Sequence, residues 1–231
     1  MTRQSTIERA ARLQGKPGLA CIGQFSVDGE AVDFLYSEDD LARDAAFWAQ
    51  VLAGYGVTRG MRILVTGVAW EMPWMHPPRL GAVRLGASYS NTEAFGWDAR
   101  RLDTFIRWTS PRVVLGPGRE VLESLGNAGD LAERLQSVPV LLVRPDGLET
   151  LRDAGIRPAG VVAQLGPAAA VSLPDGSGIA VDESEWSVTE EDGELLVTAV
   201  GPRAARFDGQ RTGVRGHVEQ APVGLRIVLG N

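Results

Sequence analysis

The segment Trp70-Glu71-Met72-Pro73-Trp74-Met75-His76-Pro77 holds the most chemistry in the smallest space. His76 is one of only two histidines in the chain. An imidazole can act as a general base or a ligand, and a nearby carboxylate such as Glu71 could orient it. Trp70 and Trp74 are one helical turn apart and could share a face, walling an apolar pocket beside that histidine. A second reading is packing alone, with both tryptophans in the core and His76 as a satisfied polar group. Both readings stand at this point.

The remaining reactive side chains are sparse. His217 follows Arg215-Gly216 and reads as a surface residue. Cys21 is the only cysteine, so no internal disulfide and no thiolate zinc cluster can form within the chain. It has no positioned partner, and a buried inert thiol is the expected state. No serine sits in a nucleophile-elbow pattern, and no histidine spacing fits a metal. Gly116-Pro117-Gly118-Arg119 joins a strand to a helix, where backbone N–H groups could meet an anion. Pro117 removes one of those donors, and the dinucleotide-binding pattern is incomplete, so the segment reads as a turn. Asp208 and Arg211 flank a glycine-containing loop, either as part of a ligand site or as a solvated ion pair.

Bulk properties narrow the function classes. The chain has 231 residues, a formal net charge of −6, 44% hydrophobic and 23% charged residues. That composition is globular. An acidic chain lacks the basic face through which phosphate neutralisation gives nucleic-acid affinity, so neither nucleic acid nor an anionic membrane is an expected partner. The first residues are polar, and no run approaches the roughly 20 apolar residues of a spanning helix. The expected location is the cytoplasm.

The elements that must position these residues follow from periodicity and punctuation. Residues 1–14 read as a short amphipathic helix, stopped by Lys16-Pro17-Gly18. Ser37-Glu38-Asp39-Asp40 has the form of a capping box. The helix it opens carries Leu41, Ala45, Trp48 and Leu52 on one face. Residues 61–66 form a buried-type strand. Residues 70–85 are a helical region, broken near its start by Pro73, Pro77 and Pro78. Helices at 98–108, 120–125, 131–135 and 148–154 alternate with strands at 113–115, 138–143 and from 161 onward. This alternation predicts an α/β fold, a parallel or mixed sheet with helices on both faces. After Gly166 the pattern changes to short alternating runs separated by turns, Glu191-Asp192-Gly193 among them. Three regions are expected: residues 1–34 as an N-terminal helix and linker, 35–165 as the α/β sheet subdomain, and 166–231 as a small antiparallel β subdomain.

Several segments resemble adenylate-forming acyl-CoA synthetases. Gly56-Val57-Thr58-Arg59-Gly60-Met61-Arg62-Ile63-Leu64 is similar to the entry into the family's first nucleotide-domain strand. Arg79-Leu80-Gly81-Ala82-Val83-Arg84-Leu85-Gly86-Ala87 resembles the helix–strand junction that follows. Asn91-Thr92-Glu93 is most similar to phenylacetate-CoA ligases and adds Asn91 to the candidate ligand-binding residues. Glu194-Leu195-Leu196-Val197-Thr198 and Arg211-Thr212-Gly213 resemble the family's β subdomain. The resemblance implies the large-domain fold of an acyl-CoA synthetase.

The departures from the family pattern bear on activity. No Ser/Thr/Gly-rich phosphate loop follows the strand at Val113. Where the family has a magnesium-holding glutamate, this chain has Gln164-Leu165-Gly166-Pro167. Where the family has the ribose-binding aspartate, it has Val214. The C-terminal lid with its adenylation lysine has no counterpart, and Lys16, the sole lysine, lies at the other end. Phosphoryl-type chemistry rests on positioning and charge stabilisation, and these departures remove its contributors. The resemblance therefore implies a shortened, non-catalytic relative that binds a partner protein, a second copy of itself, or a small acyl or aromatic ligand. ATP, AMP or CoA would bind only if the ancestral cleft survives, and no metal site is expected. Two alternatives remain open: an enzyme on a small carboxylate or aromatic substrate with His76 as base, or a split CoA ligase completed by a partner chain.

Overall fold

The computed structural model describes residues 18–220 and 225–230. The helix expected at 1–14 lies outside these residues. The first described element is a hairpin of β1 (Leu19–Val27) and β2 (Glu30–Ser37), in a stretch expected to be linker. Its alternation is hard to read because mostly half-buried residues replace a clean in–out pattern on β1.

Ser37 closes the hairpin and opens helix α1 (Glu38–Gly54). The expected capping box forms: Asp40 N donates to Ser37 Oγ at 3.1 Å, and Ser37 N donates to Asp40 Oδ2 at 2.8 Å. Strand β3 (Arg62–Thr66) is followed by a 3-10 turn (Ala69–Glu71) and helix α2 (Met72–Arg84). Pro77 and Pro78 lie inside α2, which runs through them without the expected break. The two backbone bonds they remove are local losses. Burial of Trp74, Met75, Pro77, Pro78 and Ala82 against the core opposes them.

Strand β4 (Ser88–Thr92) pairs parallel with β3 at the sheet's end. Its sequence, SYSNT, carries no apolar run because one edge has no strand partner among the described residues and most of it is open to solvent. Helix α3 (Ala99–Thr109), strand β5 (Val113–Leu115), helices α4 (Arg119–Asn127) and α5 (Leu131–Leu135), strand β6 (Val140–Val143) and helix α6 (Leu148–Asp153) lead to strand β7 (Gly160–Leu165). The five strands β4, β3, β5, β6 and β7 are parallel neighbours in that order.

Direction changes at β7, which pairs antiparallel with β8 (Ala168–Ser172). Strands β9 (Ile179–Ala180), β10 (Trp186–Glu191), β11 (Glu194–Ala199), β12 (Gln210–Gln220) and β13 (Leu225–Leu229) complete the described set. The antiparallel half joins the parallel half edge to edge, giving an 11-stranded mixed sheet in the order β10-β11-β12-β13-β9-β8-β7-β6-β5-β3-β4. Strands β10 and β11 meet at the Asp192-Gly193 turn expected from the sequence.

Both faces of the parallel half are covered. On one face α1 and α2 pack Trp48, Leu52, Trp74 and Met75 against Ile63, Val65 and Leu115, and the hairpin adds Phe25, Phe34 and Tyr36. On the other face α3 to α6 pack Leu102, Ile106, Leu122 and Leu151 against Leu64, Val114 and Val143. A third cluster around Trp186, Leu195 and Ile227 serves the antiparallel half.

Arg203 ties α1 to the antiparallel half. Its side chain is 3% exposed and meets Asp44 at 2.7 and 2.9 Å and Glu185 at 3.0 Å. Its guanidinium also lies 4.6 Å from the centre of the Trp186 ring. The Asp44 hydrogen bond and charge hold this guanidinium protonated against its burial.

Candidate functional site

In an open parallel sheet, a crevice forms outside the C-terminal ends of neighbouring strands whose outgoing connections leave to opposite faces. Here those strands are β3, which leads into α2 on one face, and β5, which leads into α4 on the other. The residues after them, Gly67 to Glu71 and Gly116 to Gly118, therefore border the natural ligand position.

That position is filled from within. Arg144, just after β6, reaches across: its Nε donates to Gly116 O at 2.8 Å, and Nη2 lies 3.5 Å from Thr66 O. Both terminal nitrogens then donate to Glu71, Nη1 to Oε1 at 2.5 Å and Nη2 to Oε2 at 2.7 Å. Gln164 on β7 donates its amide to Glu71 Oε1 at 3.1 Å, and Val68 N donates to Oε2 at 3.0 Å. Burial of Glu71 works against its charge, but the bonds and charge of Arg144 outweigh it and hold the carboxyl below its usual range. Gly116 permits the arrangement: its φ is +91°, and a Cβ there would meet Thr66 O at 2.4 Å.

The expected roles in the Trp70–His76 segment are redistributed. Glu71 does not orient His76; its carboxylate is committed to Arg144, Gln164 and its own turn. His76 is half-buried on α2, where burial and the Arg79 charge keep its pKa below the ordinary value despite an opposing effect of Glu38. No hydrogen bond or ion pair engages it among the described residues. Trp74 is 2% exposed and donates its indole N–H to Gly166 O at 3.1 Å. Trp70 is 69% exposed, so the two tryptophans do not wall one pocket. The difference arises because Trp70 stands in the 3-10 turn and Trp74 in the first turn of α2.

Trp70 belongs instead to an aromatic row along the rim of the sheet. Its ring lies 6.2 Å from Phe95, which stacks at 6.3 Å and 19° on Trp97, itself 71% exposed. Neither Phe95 nor Trp97 was expected from the sequence, and nothing in their spacing signals the row, because it forms between two loops. Asn91 is exposed on the edge strand β4.

Asp208 and Arg211 do not form an ion pair. Asp208 is exposed with no partner among the described residues, while Arg211 binds Glu194 through two nitrogens and Asp28 at 3.3 Å. Arg211 thus fastens the β1–β2 turn to β11 and β12. His217 lies on the surface of β12, with Nε2 3.1 Å from Glu219 Oε1. Cys21 is half-buried on β1, and burial together with the Glu38 charge raises its thiol to about 11.

Gln164, at the position where the resemblance places a metal-binding acid, gives its amide to Glu71. Among the described residues no group of three or more His, Cys, Asp or Glu could hold a metal ion. No described helix is long and apolar enough to cross a membrane.

No protein-family model and no curated protein sequence matches the chain. Solved structures do. 2-Hydroxyisobutyryl-CoA ligase in the postadenylation state, in complex with R3-HIB-AMP, matches over 98% of this chain and 55% of its own, at 13% identity and a TM-score of 0.68. An open conformation of that ligase with 2-HIB-AMP and CoA matches over 99% and 58%, at 13% identity and a TM-score of 0.65. A double mutant of o-succinylbenzoate CoA synthetase from Bacillus subtilis, bound to a product analogue, matches over 91% and 49%, at 14% identity and a TM-score of 0.61. The chain thus spans about half the length of these ligases. In architecture, its α/β sheet and antiparallel extension have the fold of the acyl-CoA synthetase large domain.

Proposed function

We propose that the chain is a non-catalytic relative of AMP-forming acyl-CoA ligases, nearest to the phenylacetate-CoA ligase branch. It would hold a small acyl or aromatic ligand at the rim of the switch-point crevice. The Glu71–Arg144 pair carries this reading. It fills the position between β3 and β5 and cancels the charges a reacting phosphate or carboxylate would need. What stays open at that rim is apolar, the row Trp70, Phe95 and Trp97. Stacking on such rings suits a planar or hydrocarbon group.

The decisive test pairs turnover with binding. The purified chain is incubated with ATP, magnesium, CoA and a panel of small acids that includes phenylacetate. No AMP release above the enzyme-free control is expected. Titration with phenylacetate and with a stable acyl-adenylate mimic should quench tryptophan fluorescence, and Trp70→Phe/Trp97→Phe should abolish that quenching. Sustained AMP release would overturn the non-catalytic reading.

The fold shared with these ligases supports a second reading, a split CoA ligase completed by a partner chain. AMP release that appears only with such a partner present would select it.

A further inference from the structure

We infer that the cleft between α6 and strands β9 and β13 is a binding site for an amphipathic carboxylate, an acyl chain with a free acid head. The cleft encloses about 820 Å3, within the size range of small-molecule sites. It shares no residue with the Glu71–Arg144–Gln164 cluster.

Its two sides differ in character. The floor is mostly hydrocarbon, Val161 of β7, Ile179 of β9 and Val228 and Leu229 of β13 beside Ser172 of β8, while Asp146 and Glu149 also line the cleft. The rim carries three guanidinium groups from three separate elements, Arg119 of α4, Arg152 of α6 and Arg226 of β13. Arg119 Nε donates to Asp146 O at 3.3 Å, and the carboxylates that face the three arginines are distant and exposed. Arg119 and Arg152 share Glu149 at 3.8 and 3.6 Å, and Arg226 stands 3.9 Å from Glu219. Exposed ion pairs at such distances contribute little, so an incoming carboxylate can compete for the arginines. Arginine is also the side chain best shaped for a carboxylate.

Arg226 is held in place by its neighbour. Gly178, at φ +125°, has no side chain, and a Cβ there would meet the Arg226 Cγ at 2.6 Å. The arginine stem therefore lies across the start of β9 with its charged end at the rim. A tail on the strand floor and a head among three arginines is an arrangement that neither an apolar molecule nor a short acid fully uses.

The test titrates the full chain with decanoate below its micelle concentration, beside acetate and decyltrimethylammonium. Decanoate is expected to bind, acetate and the cationic amphiphile at least about tenfold more weakly. Arg226→Glu should weaken decanoate by about tenfold or more with an unchanged melting temperature. Should that variant fail to fold, Arg152→Glu on exposed α6 gives the same reading. Equal affinity for decanoate and decyltrimethylammonium, no binding of decanoate, or unchanged affinity in a folded charge-reversal variant would each overturn the proposal. Decanoate binding retained in Trp70→Phe/Trp97→Phe separates this cleft from the crevice rim, so either proposal can fail without the other.

Discussion

Arg144 and Glu71 lie 73 residues apart in the chain and meet through two nitrogen–oxygen bonds of 2.5 and 2.7 Å. The pair joins the end of β6 to the turn after β3 and lies across β5 through Gly116 O. It therefore fastens three parallel strands at the end of the sheet where a ligand would enter.

Removing one member should expose the cost of the other. Arg144→Met leaves Glu71 largely buried without its cation, a loss of roughly 3 kcal/mol. Glu71→Gln/Arg144→Met should recover part of that loss. Urea denaturation of the single and double variants checks both statements.

The same pair sets an acid limit on stability. Glu71 has a folded pKa below its ordinary value of 4.5, so the unfolded chain binds its proton more readily. Its contribution is fully present above 4.5 and is lost as pH falls through the lower folded value. The stability difference between the native chain and Glu71→Gln should therefore be flat near neutrality and shrink in acid. Chemical denaturation across that range tests it, and a difference that grows in acid would refute it.

Gly116→Ala should be more damaging than an ordinary loop substitution. It forces a side chain into left-handed backbone and against Thr66 O. A loss of roughly 1–3 kcal/mol from the backbone alone is expected. Thermal melting measures it, and Gly60→Ala is the control, since a Cβ at Gly60 meets nothing despite the same backbone hand.

Arg203→Met should loosen α1 from the antiparallel half. Asp44 would lose its cation, while Asp40 and Glu185 keep Arg43 at 2.7 and 2.9 Å. One largely buried carboxylate left without its cation costs about 3 kcal/mol. Adding Asp44→Asn should restore a measurable part, read as an upward shift in melting temperature.

Strong periodicity was legible in the sequence where both faces of an element are decided by burial. The capped helix α1, the core strands β3 and β5 and the Asp192-Gly193 turn follow from local patterns. The β1–β2 hairpin and β4 escape that logic, because half-buried or edge strands do not alternate cleanly. The crevice was less legible still. Spacing pairs Glu71 with His76, five residues away, whereas its partners are Arg144, just after β6, and Gln164 on β7. The aromatic row was half visible: Trp70 stood out, but Phe95 and Trp97 join it only when two loops meet.

The Arg211–Asp28 contact spans 183 residues. On a ribosome, the first hairpin emerges long before the strand that clamps it exists. At 5–20 residues per second that wait is roughly ten to forty seconds. Until then the turn at Asp28 has no Arg211 to hold it, and a nascent chain stalled before residue 211 would carry a hairpin packed through Phe25 and Phe34 on α1 and α2 but open at its tip.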